Sequence, residues 1–260
     1  MESKDRGRPF GAVETIMVGG AQVARLDLEQ TARLMIETAR GPAPEGAPLF
    51  LTSVNGEALA RRDADPDFAA LIDGADLVNA DGQPLVVASR LLARNALPER
   101  VATTDLYPLV AGKAEGEGVS FYLLGASEES NRGTFQATKR RFPRLDIRGR
   151  CHGFLTGAAL ERKVEEIDAL APDILWLALG VPREQEFVRH WRHRLRNVKM
   201  IKTSGGLFDF MAGAKKRAPL WMQQAGLEWA FRLALEPRRL LRRYATTNPV
   251  ALMLLMRHTR

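Results

Sequence analysis

The carboxylate best placed for chemistry in this sequence is Asp81, which directly follows the apolar run ADLVNA and precedes Gly82. Gln83 and Pro84 then begin a helical pattern, so Asp81 lies in a predicted strand-to-helix turn. In parallel α/β sheets, ligands bind at the carboxyl ends of the strands, where such turns gather. Asp81 is therefore a candidate functional carboxylate, and the alternative is that it caps the helix.

Polar residues and glycines follow three further apolar runs. Asn55 ends the run LFLTSVN, and Ser53 offers a hydroxyl close by. The run ending at Leu179 is followed by polar residues in a predicted first helical turn, where free backbone N–H groups suit a phosphate or a sugar hydroxyl. Acidic residues in a first turn are also ordinary partners of the helix dipole. Gly205 and Gly206 let the backbone approach a ligand closely, or serve a tight turn.

Two patterns suggest metal or thiol chemistry, and both have a stronger structural explanation. Asp63, Asp65 and Asp67 have the D-x-D spacing with which many transferases hold a divalent metal on a diphosphate. Pro66 follows Asp65 at a predicted first helical turn, which favours a helix N-cap. The pair Cys151–His152 has no second metal-spaced partner, which favours a structural role. The sequence therefore predicts no metal site.

These turns need a scaffold, and 260 residues suffice for one α/β domain with a small appendage. Apolar residues make up 45% of the chain and charged residues 27%, which is typical of a globular protein. The single cysteine cannot form an internal disulfide. The first residues lack the apolar segment of a signal peptide, and no stretch reaches the ~18 apolar residues of a spanning helix. We expect a cytoplasmic protein.

Apolar runs alternate with helical patterns along most of the chain. A hairpin is predicted at 15–18 and 22–25, a helix at 28–40, and then six strand-like runs, each followed by a helical pattern. This repetition predicts an α/β fold with a Rossmann-like, mostly parallel sheet and helices on both faces. The absence of G-x-G-x-x-G after a strand and of a complete P-loop argues against a dinucleotide dehydrogenase or a P-loop NTPase.

The basic excess of the chain lies in its last part. The net charge is +7, and residues 214–260 hold ten Lys and Arg residues against Glu228 and Glu236. A local field of one sign predicts a polyanionic partner: nucleic acid, phosphate or anionic lipid. We predict a disordered segment at 1–14, an α/β catalytic domain at 15–213 and a basic amphipathic helical appendage at 214–260. In the appendage, Trp221, Trp229 and the apolar run 250–256 are features of a segment that lies in a membrane interface.

Ten motifs in order give the sequence a family resemblance from about residue 15 to residue 248. They are SVNGE, ADLVNADG, PERVATTDL, FYLLG, HGF, LGVPREQE, GGLFDFMAG, KRAPLWMQ, GLEW and EPRRLLRRY. Together they resemble the WecG/TagA/CpsF glycosyltransferases, glycosyltransferase family 26. The resemblance implies a metal-independent, inverting transferase without a cofactor. Its expected substrates are a UDP-sugar donor and a polyprenyl-diphosphate-linked saccharide acceptor of bacterial surface polysaccharide synthesis, such as teichoic acid or exopolysaccharide.

The resemblance also implies roles for individual residues. Asp81 matches the proposed catalytic base, with Ser53 in place of the usual threonine and Asn55 beside it. Residues matched to donor binding are Arg100, Asp105, Gly125, Gln185 of the P-x-Q-E segment, Glu186, Gly205, Gly206 and Asp209. Arginines expected over the active site and on an anionic membrane surface are Arg238, Arg239, Arg242 and Arg243. Thr103 departs from the family, which usually has glycine there. The implied location is the inner face of the bacterial plasma membrane.

The sequence leaves several points open. N-acetylmannosamine, its uronic acid, glucuronic acid and glucose all fit the family as the transferred sugar, and the acceptor saccharide and the pathway are equally open. The protein could be a monomer or a homo-oligomer. The rival interpretation is a non-catalytic nucleotide- or RNA-binding module with a basic tail. It explains the charge of the tail but not the ordered motifs, so we expect no nucleic-acid partner.

Overall fold

The computed structural model describes residues 10–260. Residues 1–9 of the predicted disordered segment 1–14 lie outside the described residues. The strands of the described part are β1 (Thr15–Val18), β2 (Ala21–Ala24), β3 (Leu49–Val54), β4 (Leu77–Ala80), β5 (Phe121–Gly125), β6 (Ile147–Cys151), β7 (Ile174–Ala178) and β8 (Met200–Thr203). The helices are α1 (Leu28–Arg40), α2 (Gly56–Ala64), α3 (Pro66–Asp73), α4 (Gln83–Leu92), α5 (Thr103–Glu117), α6 (Glu128–Arg141), α7 (Gly157–Leu170), α8 (Arg183–Trp191), α9 (Leu207–Met211), α10 (Leu220–Gln224), α11 (Glu228–Leu235) and α12 (Pro237–His258).

The predicted fold class is confirmed. Strands β3 to β8 form one six-stranded sheet in the order β4-β3-β8-β7-β5-β6, with β3/β8, β8/β7, β7/β5 and β5/β6 parallel. Helices flank this sheet, an antiparallel hairpin precedes it and the C-terminal part is helical. The strand β7, ILWLA, is buried at all five positions, as expected for a parallel strand covered on its two faces.

The N-terminal hairpin differs from the prediction by one residue. β2 begins at Ala21 and not at Gln22, because Gly19 and Gly20 alone form the turn. Their φ angles are 58° and 88°. Two successive positive φ angles are typical of the two-residue turns that match the twist of a hairpin, and glycine adopts them without strain.

The chain divides into two compact units, which we describe separately. The first unit comprises 10–28, 53–102 and 217–260 of the described residues, and the second comprises 29–52 and 103–216. Residues 217–260 of the basic appendage, hereafter the tail, thus belong to the first unit, whereas Lys215 and Lys216 belong to the second. The division by sequence character into 15–213 and 214–260 stays a prediction.

The first unit is built around the packing of α12 on α2. A Cβ at Gly56 in α2 would lie 3.3 Å from the Cβ of Ala251 in α12, so the two helices approach closely. Leu254 and Leu255 of α12 are buried beside them. Each buried leucine contributes roughly 1.5–3 kcal/mol of burial free energy. The end of α12 is therefore core, and a hydrogen bond of 3.2 Å from Gly20 N–H to the His258 carbonyl joins it to the hairpin.

The second unit has an aromatic core and a polar clamp at its strand ends. The rings of Tyr107 and Trp176 pack edge to face with centroids 4.8 Å apart. The buried amide of Asn131 donates to the carbonyls of Gly125 at 3.0 Å and of Cys151 at 2.8 Å. Because these carbonyls end β5 and β6, one side chain of α6 fixes two loops at the carboxyl edge of the sheet.

Candidate active site

The predicted site residues are distributed over the two units. The first unit holds Ser53, Asn55, Asp81 and Arg100 with the four tail arginines Arg238, Arg239, Arg242 and Arg243. The second unit holds Asp105, Gly125, Gln185, Glu186, Gly205, Gly206 and Asp209. Their geometry is described within each unit.

In the first unit, Asp81 lies in the turn between β4 and α4, as predicted. Its backbone N–H donates to the carbonyl of Val54 at the end of β3, at 2.8 Å. The N-cap of α4 is Gly82, so Asp81 lies one residue before the cap position. Asp81 is half-buried.

Asn55 lies beside this turn. A Cβ at Gly82 would be 3.6 Å from the Cβ of Asn55, so the turns after β3 and β4 are neighbours. The Oδ1 atom of Asn55 accepts the backbone N–H of Ala58 at 3.0 Å, which makes Asn55 the N-cap of α2. Asn55 therefore has a structural role that orients its side chain next to the turn of Asp81.

The four tail arginines have different surroundings. Arg243 forms an ion pair of 2.7 Å with Glu57, which is in the first turn of α2 and two residues after Asn55. Arg239 pairs locally with Glu236. Arg238 and Arg242 are exposed on α12. Arg243 is thus joined by an ion pair to the helix that Asn55 caps.

Arg100 contacts tail residues that the motif analysis did not single out. Its guanidinium forms an ion pair of 2.7 Å with Glu228 of α11 and donates to Gln223 of α10 at 3.4 Å. The signal for these partners was present, because both lie in family-like motifs, KRAPLWMQ and GLEW. Arg100 is thereby joined to the start of the basic tail within the first unit.

In the second unit, the residue that sequence analysis missed is Glu184. Its side chain is buried, and a carboxylate oxygen accepts the backbone N–H of Gly205 at 2.9 Å. In this sequence Arg183 and Glu184 both stand between Pro182 and Gln185, whereas the P-x-Q-E motif has a single residue there. Glu184 therefore occupies the third position of the motif, where glutamine is expected. That spacing was the signal that could have found it. Gln185 is also buried, with its amide nitrogen 3.5 Å from the Thr52 hydroxyl.

Burial raises the pKa of Glu184 to about 7, and its hydrogen bond from Gly205 and the charge of Lys202 oppose that rise. The buried carboxyl holds the loop after β8 through the Gly205 amide, while its own helix begins after β7. Gly205 has a φ of 55°, and a Cβ there would meet nothing within 4 Å. The backbone at Gly205 therefore has open space beside it, and its N–H group is already hydrogen-bonded to Glu184.

The remaining predicted residues of the second unit have identifiable neighbours. Asp209 forms an ion pair of 2.6 Å with Lys215. A Cβ at Gly125 would lie 2.3 Å from the carbonyl oxygen of Ala178, so only glycine fits between β5 and β7. Asp105 lies in the first turn of α5. These contacts explain the residue types structurally, and their donor-binding roles stay predictions.

A cavity of about 230 Å³ opens at the carboxyl ends of β5 to β7 in the second unit. Its lining includes Leu124, His152 and Leu179 from the strand ends, and Glu186 and Trp191 from α8. Most ligand pockets measure ~300 to 1,000 Å³, so this open cavity is smaller than is usual for a ligand site.

The D-x-D segment is structural. Asp65 is the N-cap of α3, and its carboxylate accepts the backbone N–H groups of Asp67 and Phe68, each at 3.0 Å. The predicted cap is confirmed. Within residues 10–260, no three His, Cys, Asp or Glu side chains are arranged to hold a metal ion. In the same part of the chain, no helix has the length and apolar character needed to cross a membrane.

Comparison with known proteins gives a family and two close relatives. A family model described as "Glycosyl transferase WecG/TagA/CpsF family" matches residues 16–260. An N-acetylglucosaminyldiphosphoundecaprenol N-acetyl-beta-D-mannosaminyltransferase of Bacillus subtilis (strain 168) is 31% identical over 189 residues, which is 73% of this chain and 72% of that protein. The protein of the same name from Bacillus spizizenii is 30% identical over 191 residues, with 73% and 72% covered.

The raised pKa of Glu184 predicts a pH-dependent stability. A carboxyl whose pKa is higher in the folded state stabilises the fold below its unfolded pKa, and this contribution is lost as the pH rises. The free energy of unfolding should therefore fall between pH 4.5 and about 7, by on the order of 3 kcal/mol. Glu184→Gln should abolish that fall, measured by denaturant unfolding across this range. Glu129→Gln, at an exposed glutamate of α6, is the matched control. Equal pH slopes in the two variants would contradict the prediction.

Proposed function

The chain belongs to the WecG/TagA/CpsF family of glycosyltransferases, and from that premise we propose that it transfers a sugar from a UDP-sugar to a polyprenyl-diphosphate-linked saccharide. Transfer proceeds with inversion and without a metal, in the synthesis of a bacterial surface polysaccharide. The observation that carries the proposal is the family match over residues 16–260, with Asp81 in the turn after β4. The two relatives are named for transfer of N-acetylmannosamine to N-acetylglucosaminyl-diphospho-undecaprenol, so that donor and acceptor are the first to test.

Asp81 acts as the general base in this proposal. Its carboxylate takes the proton from the acceptor hydroxyl as that oxygen attacks the anomeric carbon. The new C–O bond forms on the face opposite the departing diphosphate, the bond between the sugar and that diphosphate breaks, and UDP leaves. The hydrogen bond from Asp81 N–H to Val54 fixes the turn before substrate binds, so little reorganisation is needed during the reaction.

The departing diphosphate gains negative charge and is stabilised by positively charged groups. The first unit has arginines beside the Asp81 turn that can supply this charge. Arg243 is held at the first turn of α2 by Glu57, and Arg100 is held by Glu228. Guanidinium groups bind phosphate oxygens through two parallel N–H groups, which suits a leaving group that gains negative charge. We assign leaving-group stabilisation to these two arginines. Arg238, Arg239 and Arg242, which sequence analysis grouped with Arg243, have the membrane role described next.

The tail binds an anionic membrane surface in this proposal. Trp221 is 63% exposed and Trp229 is 42% exposed, which places aromatic bulk on the surface of the first unit. Of the apolar run 250–256, Leu252 and Met256 are exposed whereas Ala251, Leu254 and Leu255 are buried in the core. The run is therefore only partly available to lipid, and the membrane-binding surface is the exposed side of α10 to α12. The protein would act peripherally on the inner face of the plasma membrane.

UDP should bind without a metal. Calorimetry in EDTA should give the same Kd for UDP as calorimetry with Mn²⁺, since arginines and backbone amides supply the contacts to the diphosphate. An excess of RNA should not compete, which distinguishes the transferase from an RNA-binding module. If EDTA abolished UDP binding and Mn²⁺ restored it, the metal-free mechanism would be wrong. Asp63 and Asp67 would then again be candidate metal ligands.

Asp81→Asn should lower turnover by ~10² or more, because the amide cannot accept the proton of the acceptor hydroxyl. The Kd for UDP should stay within about twofold, since the variant keeps the shape of the turn. Turnover is measured by mass analysis of the lipid-linked product. Asp146→Asn, at a carboxylate that is 54% exposed before β6, is the matched control and should retain activity. Near-normal turnover of Asp81→Asn would leave the mechanism without its base.

Charge reversal of Arg238 and Arg242 should weaken membrane binding without breaking the ion pairs of Arg239 and Arg243. Each basic residue near an anionic leaflet is worth roughly 1 kcal/mol, so the double Glu variant should bind anionic liposomes at least ~30-fold more weakly in sedimentation assays at low salt. The double variant Arg132→Glu/Arg162→Glu changes the charge equally at exposed sites in the second unit. Equal binding by both double variants would show that net charge, and not the tail, attracts the membrane.

A further inference from the structure

Two arginines of the first unit converge on one oxygen atom. The Oε1 atom of Gln223 accepts an N–H from Arg217 at 2.6 Å and another from Arg100 at 3.4 Å. The Nε2 atom of the same amide donates to the carbonyl of Ala218 at 2.7 Å, which sets the orientation of the amide and directs its oxygen to the arginines. Arg217 comes from the start of the tail and Arg100 from the segment after α4, so the convergence is not a local feature of one helix.

The electrostatics of this cluster favour an anion. Glu228 forms an ion pair with Arg100, and the side chains of these two residues are only 24% and 13% exposed. The cluster thus contains two guanidinium groups and one carboxylate, largely shielded from water. A neutral amide oxygen is a weaker acceptor for two cations than a charged oxygen, because hydrogen bonds between ionised partners are about twice as strong.

The cluster lies beside the turn that carries the proposed base. The N–H of Val101 donates to the carbonyl of Ala80 at 2.9 Å, so the backbone next to Arg100 pairs with the residue before Asp81. On the other side, a Cβ at Gly226 would lie 3.5 Å from the Cβ of Gln83, the first residue of α4. The loop between α10 and α11 therefore rests on the same turn as Arg100.

We propose that Arg217 and Arg100 form a diphosphate-binding pair, in which an anionic phosphate oxygen replaces the oxygen of Gln223. The choice of a diphosphate rests on the proposed function, since the donor and the acceptor each carry one. Arg217 adds a second guanidinium group, from the tail, with paired N–H donors that match phosphate oxygens. In the absence of ligand, the side-chain oxygen of Gln223 occupies the position of the phosphate oxygen. The tail thus supplies a recognition residue as well as a membrane-binding surface.

A purely structural role for the cluster predicts different behaviour. If Gln223 only joins the tail to Arg100, Gln223→Glu should strengthen the junction, because the carboxylate gains two charge-assisted bonds, and it should leave ligand binding unchanged. If Gln223 marks a ligand site, the same carboxylate fills that site permanently. The variant then retains its thermal midpoint but binds diphosphate more weakly.

The test measures binding of inorganic pyrophosphate and of UDP by calorimetry, and the KM for polyprenyl-diphosphate acceptor, in the full chain. Arg217→Ala and Gln223→Glu should each weaken binding of pyrophosphate by about tenfold or more, the effect of losing one charge-assisted hydrogen bond. Arg217→Lys, which keeps the charge but not the fork, should give a smaller loss and guards against unfolding of the alanine variant. Arg94→Ala, at an exposed arginine of the same unit, is the matched control.

The measurements separate the two sources of diphosphate and the two hypotheses. A parallel rise in the Kd for UDP assigns the pair to the donor, and a rise in the acceptor KM with UDP binding unchanged assigns it to the acceptor; each result supports the pair. A wild-type chain that binds pyrophosphate through Arg217 but transfers no sugar would contradict the proposed function alone. The proposed pair would be overturned if folded variants of Arg217 and Gln223 kept the Kd for pyrophosphate, the Kd for UDP and the KM for the acceptor within about twofold of wild type. It would also be overturned if the wild-type chain bound none of these three ligands.

Discussion

The packing of α12 against α2 is the contact on which the first unit depends. Glycine at position 56 favours this close approach, because a Cβ there would lie 3.3 Å from the Cβ of Ala251. Because α2 begins at the Asn55 cap and Asn55 neighbours the Asp81 turn, the same contact ties the basic tail to the proposed catalytic carboxylate. This packing also brings Arg243 of α12 within ion-pair distance of Glu57 in the first turn of α2. Packing and electrostatics in this unit therefore have one common geometric origin.

The second unit organises its loops by a different means, with buried polar side chains that bind backbone groups. Asn131 clamps the ends of β5 and β6, and Glu184 holds the glycine pair after β8. Most buried polar groups in proteins are hydrogen-bonded, and the bonds of these two side chains stabilise the observed conformations of their loops. Glu184 adds a cost that Asn131 does not have, because its burial opposes ionisation. Rigid loops beside open space at Gly205 are what a site for close backbone contact to a ligand needs.

Much of the fold could be predicted because it depends on local patterns. The run LFLTSV coincides with β3, the helix at 28–40 coincides with α1, and Asp65 caps α3 as its Pro66 neighbour indicated. The order of strands in the sheet depends on contacts between distant residues, and no local pattern carries that information. The motif resemblance placed Asp81 in its turn and included Gln223 and Glu228 in its motifs. It did not pair them with Arg100, because each contact joins residues more than 120 positions apart. Glu184 was missed because its neighbour Gln185 has the residue type of the motif.

The hydrogen bonds between the hairpin and residues 258–260 have a consequence for biosynthesis. Met17 accepts the N–H of Arg260 at 3.0 Å, and Gly19 donates to the Thr259 hydroxyl at 3.1 Å. A ribosome adds residues from the N-terminus onward, and domains generally fold as units during that process. All residues of the second unit have been translated by position 216, whereas the first unit has to wait for its last three residues. The first unit, which contains the Asp81 turn, therefore completes its packing later than the second unit, once residues 258–260 have been synthesised.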